Sequence, residues 1–156
     1  MAFFLSKFFN KIDKKGRVSV PSSFRSSILN ETNIENFEGI IAYSSFINPC
    51  IEVCSFNKIE EISKKISSLD DYSDEKDALA SVILGGSVRL PFDDTGRVLL
   101  PKNLLEEAEI TEGERAVFFG KGEIFEIWAE DKFIQYEARQ KELAKQYKSA
   151  LSKIRK

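Results

Sequence analysis

The residues of this chain best suited to bind a charged ligand surround one short turn, and they are Lys14, Lys15 and Arg17. Lysine and arginine contact phosphate groups as cations, and arginine can also donate two hydrogen bonds to the major-groove edge of guanine. A two-stranded β ribbon fits into that groove. A hairpin tip with these cations is therefore predicted to contact DNA, with Lys11 and Arg25 as supporting candidates.

The turn belongs to a ten-residue block that occurs twice, the second copy eighty residues after the first. Residues 12–21 and 92–101 both read apolar-Asp-x-x-Gly-Arg-apolar-x-apolar-Pro. A unit repeated in this way usually cannot bury its own apolar face and needs a second copy. Residues 51–59 and 125–133 also correspond, at an offset of seventy-four. This difference predicts about six extra residues in the first copy, in the loop 30–37.

We therefore predict two halves, residues 1–78 and 79–156, which interlock as one structural unit. Hydrophobic periodicity and turn residues predict a β hairpin, a short helix, two further strands and an outer helix in each half. The expected strands cover residues 3–9, 17–20, 39–44, 50–54, 87–91, 97–100, 116–120 and 124–128. The expected helices cover residues 24–29, 55–69, 73–84 and 103–108, and a final helix begins near Asp131.

The residues shared by both blocks are those that a hairpin turn requires. Glycine accepts the positive φ of a tight reversal, and proline ends a strand because it has no N–H to donate. The Asp and Arg of each block can hold the turn by a salt bridge or by backbone hydrogen bonds. For Arg17 this structural role and DNA contact both stay open. A structural role is assigned to Asp13, Gly16, Pro21, Asp93, Gly96, Arg97 and Pro101.

The two tips differ in charge. The second tip has Asp94 and Thr95 where the first has Lys14 and Lys15. Carboxylates beside a phosphate backbone are repelled by it, so the first tip is expected to bind DNA. The second tip is expected mainly to complete the fold.

The net charge of −2 hides a strong asymmetry along the chain. Residues 1–30 carry a local charge of +5 and residues 138–156 a local charge of +6, which leaves −13 for the middle. Such a distribution can build a basic face on an acidic body. In the basic C-terminal segment, DNA contact, packing on a neighbouring subunit and a solvated tail all stay open. Its apolar residues recur at steps of three and four, and they are Leu143, Tyr147, Ala150, Leu151 and Ile154.

Several classes of chemistry are excluded by composition. The chain has no histidine, which removes imidazole metal sites, Ser-His triads and Cys-His dyads. Cys50 and Cys54 would lie about 13 Å apart on an extended strand, too far for a disulfide. We expect both to be buried, inert thiols. No carboxylate pair accompanies a nucleophile or a metal set, so we expect no enzyme, no cofactor, no metal and no small-molecule substrate.

The sequence also argues against a membrane location. It contains no run of eighteen apolar residues, so no transmembrane helix is predicted. The apolar start lacks the long h-region and cleavage site of a signal peptide. We expect a cytoplasmic protein that is associated with the nucleoid through its DNA.

Tandem Asp-x-x-Gly-Arg-x-x-x-Pro blocks in a chain of this length resemble the MraZ family, which is similar to AbrB-type proteins. The resemblance covers the whole chain and implies an α+β fold, a tandem swapped-hairpin β-barrel with peripheral helices. Asn10 and Thr95 stand where the family often has His and Gln. Neither change touches the Asp, Gly, Arg or Pro positions of the blocks.

The resemblance further implies a sequence-specific DNA-binding transcriptional regulator, usually a repressor, of the division and cell-wall gene cluster. Such proteins form homo-oligomeric rings and recognise short direct repeats in double-stranded DNA upstream of their own operon. Two alternatives stay open: an AbrB-like antitoxin whose main partner is a toxin, and a ring-forming scaffold that binds protein and not DNA.

Overall fold

The computed structural model of the chain describes residues 1–153 and contains eight strands and six helices in that range. The strands are β1 (Lys7–Lys11), β2 (Arg17–Ser19), β3 (Gly39–Ser44), β4 (Ile51–Cys54), β5 (Val88–Pro91), β6 (Arg97–Leu99), β7 (Arg115–Gly120) and β8 (Phe125–Ala129). The helices are α1 (Ser22–Leu29), α2 (Phe56–Ser67), α3 (Asp74–Leu79), α4 (Lys102–Glu107), α5 (Glu130–Tyr147) and α6 (Ser149–Ser152). A π-helical turn, Ala80–Leu84, follows α3. Ile154 of the predicted apolar series lies outside the described residues.

Six strands form one antiparallel sheet in the order β1-β7-β8-β4-β3-β5, and β2 pairs with β6 in a second sheet. The predicted α+β class is confirmed. Within residues 1–153 the strands do not close into a complete hydrogen-bonded barrel, because β1 and β5 each have one paired neighbour. The small sheet lies between those two edges, since β2 contacts β1 and β6 contacts β5.

Two strand pairs show that the sequence repeat is a local two-fold relation in space. In the small sheet Val18 pairs with Val98, which is its own equivalent in the second block. In the large sheet Glu52 likewise pairs with its equivalent, Glu126. A residue that faces its own copy across an antiparallel pair lies on a two-fold axis. The division at residues 78 and 79 stays a prediction, and three of the five strand pairs in the large sheet join strands from opposite sides of it.

The outer strand pairs correct the predicted position of the extra residues. Phe8 pairs with Phe118, and its equivalent Val88 pairs with Ala42, so β3 and β7 are related by an offset of seventy-six. Four of the six extra residues therefore lie between α1 and β3, and two lie in the turn between β3 and β4. The expectation that all six lie in the first loop is wrong.

The first strand also begins later than predicted. β1 starts at Lys7, whereas the apolar sequence suggested residues 3–9. Ser6 has a φ of +76°, which interrupts the extended chain. Phe4 is joined to the sheet by an isolated bridge to Gly122 at the turn between β7 and β8.

The inner core contains a cluster of packed phenylalanine rings. The Phe24 ring lies 5.2 Å from the Phe4 ring, 5.4 Å from the Phe8 ring and 4.7 Å from the Phe125 ring, measured between centroids. Edge-to-face and offset aromatic pairs add stability beyond the area that they bury. Phe24 is almost fully buried, and its ring packs α1 against both β1 and β8.

The outer face of the large sheet is covered by helices. α5 buries Phe133 and Tyr136 against Trp128, and α2 packs Ile66 near Tyr43. Each of these helices directly follows the last strand of its half, so α2 and α5 are equivalent in the repeat. α3 and the π-helical turn pack beside α2.

The two cysteines lie on this outer face and are both free and buried, as predicted. Burial raises the pKa of the Cys54 thiol to about 12 and also raises the pKa of the Cys50 thiol. Because the thiolate is the reactive form of cysteine, both groups are poor nucleophiles in the folded protein.

We expect Phe24→Ala to lower the free energy of unfolding by about 3–5 kcal/mol, because it leaves a cavity among three packed rings. Phe46→Ala is the matched control, since Phe46 is 56% exposed, and we expect a change within about 0.5 kcal/mol. Urea denaturation of both variants measures the difference. Equal losses would mean that the aromatic cluster is not the centre of the core.

Candidate nucleic-acid interface

Asp13 closes the first turn through three hydrogen bonds. Its carboxylate accepts from the backbone N–H groups of Lys15 and Arg17, both at 2.9 Å, and from Arg17 Nε at 2.8 Å. Gly16 has a φ of +90°, a conformation that glycine adopts without strain. The turn therefore satisfies its own polar groups, and the side chains of Lys14 and Lys15 are exposed at its tip.

The second turn has the same construction. Asp93 accepts from the backbone N–H groups of Thr95 and Arg97, both at 2.9 Å, and from Arg97 Nε at 3.0 Å. The Thr95 hydroxyl donates a further bond to this carboxylate at 3.0 Å. Gly96 has a φ of +81°. The salt bridge considered from the sequence is present in both turns, so it does not depend on the charge of the residues between Asp and Gly.

These hydrogen bonds stabilise the ionised carboxylates. The pKa of Asp13 falls from 3.8 to about 2, and the largest cause is the backbone N–H of Arg17. The pKa of Asp93 falls to the same value, with the backbone N–H of Arg97 as the largest cause. Both turns are therefore in their paired form throughout the physiological pH range.

The prolines that end the two blocks hold the first turns of the following helices. The Pro21 carbonyl accepts from the Arg25 N–H at 2.9 Å, and the Pro101 carbonyl accepts from the Leu105 N–H at 3.1 Å. Both prolines occupy N-cap positions, where the missing proline N–H is no loss.

The first tip packs against a loop of the second half. Ile12 donates its N–H to the Glu114 carbonyl at 2.9 Å and accepts from the Gly113 N–H at 2.8 Å. A methyl group on Gly16 would lie 3.8 Å from a carboxylate oxygen of Glu112. The tip is therefore held in place by the other half, and the nearby carboxylate offsets part of its positive charge.

Arg17 extends from the first tip into a surface groove between β5 and β6 that has a volume of about 620 Å³. Arg89 and Arg97 also line this groove, and its other walls are mainly apolar. Arg89 lies 5.1 Å from the ring centroid of Phe56 and forms an ion pair with Glu35. No sequence pattern indicates Arg89 as a site residue, because its position depends on β5 lying beside β6.

The two supporting candidates do not line the groove that Arg17 enters. The Arg25 guanidinium packs over Gly96 of the second tip and donates to the Val20 carbonyl. Lys11 is exposed on β1 and lines a second groove, of about 590 Å³. Four carboxylates share the walls of that groove, those of Glu109, Glu114, Glu130 and Asp131.

Two further properties of the described chain bear on its chemistry. Among residues 1–153, no three His, Cys, Asp or Glu side chains are grouped so that they could hold a metal ion. No helix in that range combines the length and apolar character needed to cross a bilayer.

Comparison with known proteins gives the family. A protein named transcriptional regulator MraZ from Rickettsia bellii is 48% identical over 145 residues, which cover 92% of this chain and 93% of that protein. The chain belongs to the MraZ family. MraZ regulators from Rickettsia felis and Rickettsia typhi are 48% and 47% identical over 136 residues, 87% of each chain. The family model described as "MraZ protein, putative antitoxin-like" matches residues 83–153.

The MraZ membership confirms the identification made from the tandem blocks. The family model spans the acidic second tip, and the same turn geometry recurs at the first tip. Its relatives carry the name of transcriptional regulators, which supports gene regulation as the general role of this chain.

The two Asp–Arg turns are expected to make the fold less stable as the pH falls into the acid range. Because the folded pKa values of Asp13 and Asp93 lie near 2 and the ordinary value is 3.8, the stabilisation is complete above pH 4. It is lost as the pH falls from about 4 to about 2. We expect the Asp13→Asn/Asp93→Asn variant to have a lower Tm at neutral pH and a flatter Tm profile between pH 4 and 2. A profile parallel to that of the parent chain would contradict this assignment.

Proposed function

We propose that this chain is a sequence-specific DNA-binding transcriptional regulator that reads DNA with the tip of its first hairpin. The observation that carries the proposal is a difference between two tips of the same geometry. Both tips hold the same Asp–Arg pair, but only the first presents exposed lysines, Lys14 and Lys15, within the described chain. The side chains of these lysines have no part in closing the turn, so their charge is available to a ligand.

Arg17 is suited to a second role at the same tip. It bonds Asp13 through Nε, and in the described part of the chain its terminal nitrogens have no hydrogen-bond partner. An arginine held in this way presents a fixed pair of donors, the arrangement that matches phosphate oxygens or the O6 and N7 atoms of guanine. We assign phosphate contacts to Lys14 and Lys15, and either base or phosphate contact to Arg17. Lys11 and Arg25 become secondary candidates, because one faces an acidic groove and the other lies at the second tip.

A single tip with two or three cations binds DNA weakly, because each phosphate contact contributes a modest amount through counterion release. Several tips on one oligomer raise the effective concentration at neighbouring sites without a new type of contact. We therefore propose a homo-oligomeric ring that binds short direct repeats in the cytoplasm, at the nucleoid. By resemblance to its family, it would repress its own operon at the division and cell-wall gene cluster.

Replacing Lys14 and Lys15 by alanine is expected to weaken DNA binding and to reduce its salt dependence. If each lysine contacts one phosphate, the slope of log K against log salt decreases in magnitude by about 2. Gel-shift titrations on the DNA upstream of its own gene, at several salt concentrations, measure this slope.

Lys64→Ala/Lys65→Ala is the control for that experiment, because it removes the same charge from an exposed pair on α2. We expect the control to bind DNA as the parent chain does. Equal slopes for the two double variants would refute the assignment to the first tip. Absence of any sequence-selective binding by the parent chain would favour the protein-binding scaffold.

The need for several operator repeats is a separate prediction. We expect a DNA fragment with several direct repeats to bind about 10²–10⁴-fold more tightly than one with a single repeat, because the linked tips act together. A monomeric variant should bind both fragments with the same weak affinity per repeat. Full affinity of that variant for a single repeat would rule out the multivalent mechanism.

A further inference from the structure

The C-terminal part of α5 extends away from the body of the protein. Phe133 and Tyr136 are buried, but from Lys141 to Lys153 every residue is exposed except the half-buried Leu143. At a rise of 1.5 Å per residue, residues 141–147 add about 10 Å to α5, and α6 adds one further turn of helix. Helices of this length are marginally stable in water unless an apolar face is packed.

This helix carries an apolar face without a partner in the described chain. Leu143, Tyr147 and Leu151 follow at four-residue steps and continue the face that Phe133 and Tyr136 turn to the sheet. Tyr147 is 64% exposed and Leu151 is 76% exposed. This apolar face is therefore exposed to solvent, because in the described chain it does not pack on the sheet.

The same segment is strongly basic. We define the basic helix as residues 139–153. Its single acidic residue, Glu142, pairs with Lys145, the one ion pair of this segment among the described residues. The cations around its apolar face are Arg139, Lys141, Lys145, Lys148 and Lys153. A partner that covers the apolar face must also present negative charge.

One surface of the chain has the complementary character. We define the acidic corner as residues 70–82, which include α3 and the turn before it. It exposes two large apolar side chains, Tyr72 at 97% and Val82 at 43%. The same residues include one cation, Lys76, which pairs with Asp71. The exposed carboxylates of the acidic corner are those of Asp70, Asp71, Asp74, Glu75 and Asp77.

A second acidic surface offers charge but no apolar contact. It lies at the end of α4 and in the following loop, and in the described chain it exposes no large hydrophobic side chain. Its carboxylates are those of Glu106, Glu107, Glu109, Glu112 and Glu114. The acidic corner is therefore the better match for a basic helix with an exposed Tyr and Leu.

The repeat also leaves room for a neighbour beside α5. In the first half, α2 is flanked by α3 and the π-helical turn, which bury Ile83 against it. α5 is the equivalent of α2, but within residues 1–153 only the short helix α6 follows it, and α6 has no buried residue. Within the described residues, the second half therefore has no counterpart of α3 and the π-helical turn to pack beside α5.

We propose that the basic helix of one copy docks on the acidic corner of a second copy of this chain. Such a contact joins different surfaces of the two copies, so its repetition generates a ring when the rotation closes. The proposal rests on the oligomeric form of the proposed function and names the surfaces that would build it. It is independent of how the first tip contacts DNA.

Charge reversal tests the contact in the absence of DNA. The helix variant is Lys141→Glu/Lys145→Glu/Lys148→Glu, and the corner variant is Asp70→Lys/Glu75→Lys/Asp77→Lys. We expect the full chain to be oligomeric by light scattering and each variant to shift towards the single-chain mass of 17.8 kDa. We expect a chain with both sets of changes to recover the oligomer, because the charges are complementary again.

Two controls keep this experiment decisive. Glu106→Lys/Glu107→Lys/Glu109→Lys reverses the same charge on the other acidic surface and should leave the mass unchanged. Tyr72→Ala and Tyr147→Ala test the apolar contact without any change in charge, and each should weaken the oligomer. Circular dichroism establishes that every variant is folded.

Three outcomes would overturn the proposal. They are a monomeric parent chain, a corner variant with unchanged mass, and a helix variant that keeps its mass but loses DNA affinity. The last result would identify the basic helix as a DNA contact. Lys14→Ala/Lys15→Ala should keep its mass while losing DNA affinity, so failure of the docking contact is distinguishable from failure of the DNA-reading tip.

Discussion

The structure depends on the pairing of each half of the chain with the other half across a local two-fold axis. β1 pairs with β7, β5 pairs with β3, and the axis passes through the pairs β2–β6 and β4–β8. Among the described residues, β1 and β2 pair only with strands of the second half, and β5 and β6 pair only with strands of the first half. The apolar face of each copy is therefore buried only when both copies are folded, which is the physical reason for the duplication in the sequence.

The two-fold axis places residues of the same type opposite each other, which is favourable for one pair and unfavourable for another. Val18 against Val98 is a favourable apolar pair. The pair of Glu52 and Glu126 is unfavourable, because it places a half-buried carboxylate opposite a buried one. Burial, together with the Glu126 carboxylate, raises the pKa of Glu52.

The chain compensates this repulsion with donors that break the symmetry. Trp128 Nε1 donates to Glu126 at 2.9 Å, and Lys121 Nζ donates to it at 3.2 Å. The Tyr43 hydroxyl donates to Glu52 at 3.3 Å. Carboxylates away from water are tolerated where such hydrogen-bond donors are present, and here the donors belong to both halves. The pair therefore links Tyr43, which packs under α2, to Trp128, which packs under α5.

Much of this architecture was predictable from the residues alone, since turns and hydrophobic periodicity are local properties. Gly16 and Gly96 adopt the positive φ expected of them, both cysteines are buried, and the helices and strands follow the predicted order. The contrast between the lysines of the first tip and Asp94 of the second is also visible in the sequence.

Only the tertiary structure decided which distant residues meet. It placed Arg25 over the second tip, Lys11 in an acidic groove and Arg89 in the same groove as Arg17. These contacts follow from strand order and register across the two halves, and no local pattern encodes them. The sequence by itself thus determined the turns, the repeat and the charge of each tip. The fold determined the surroundings of each charge, because in an interlocked chain the neighbours of a residue come from the other half.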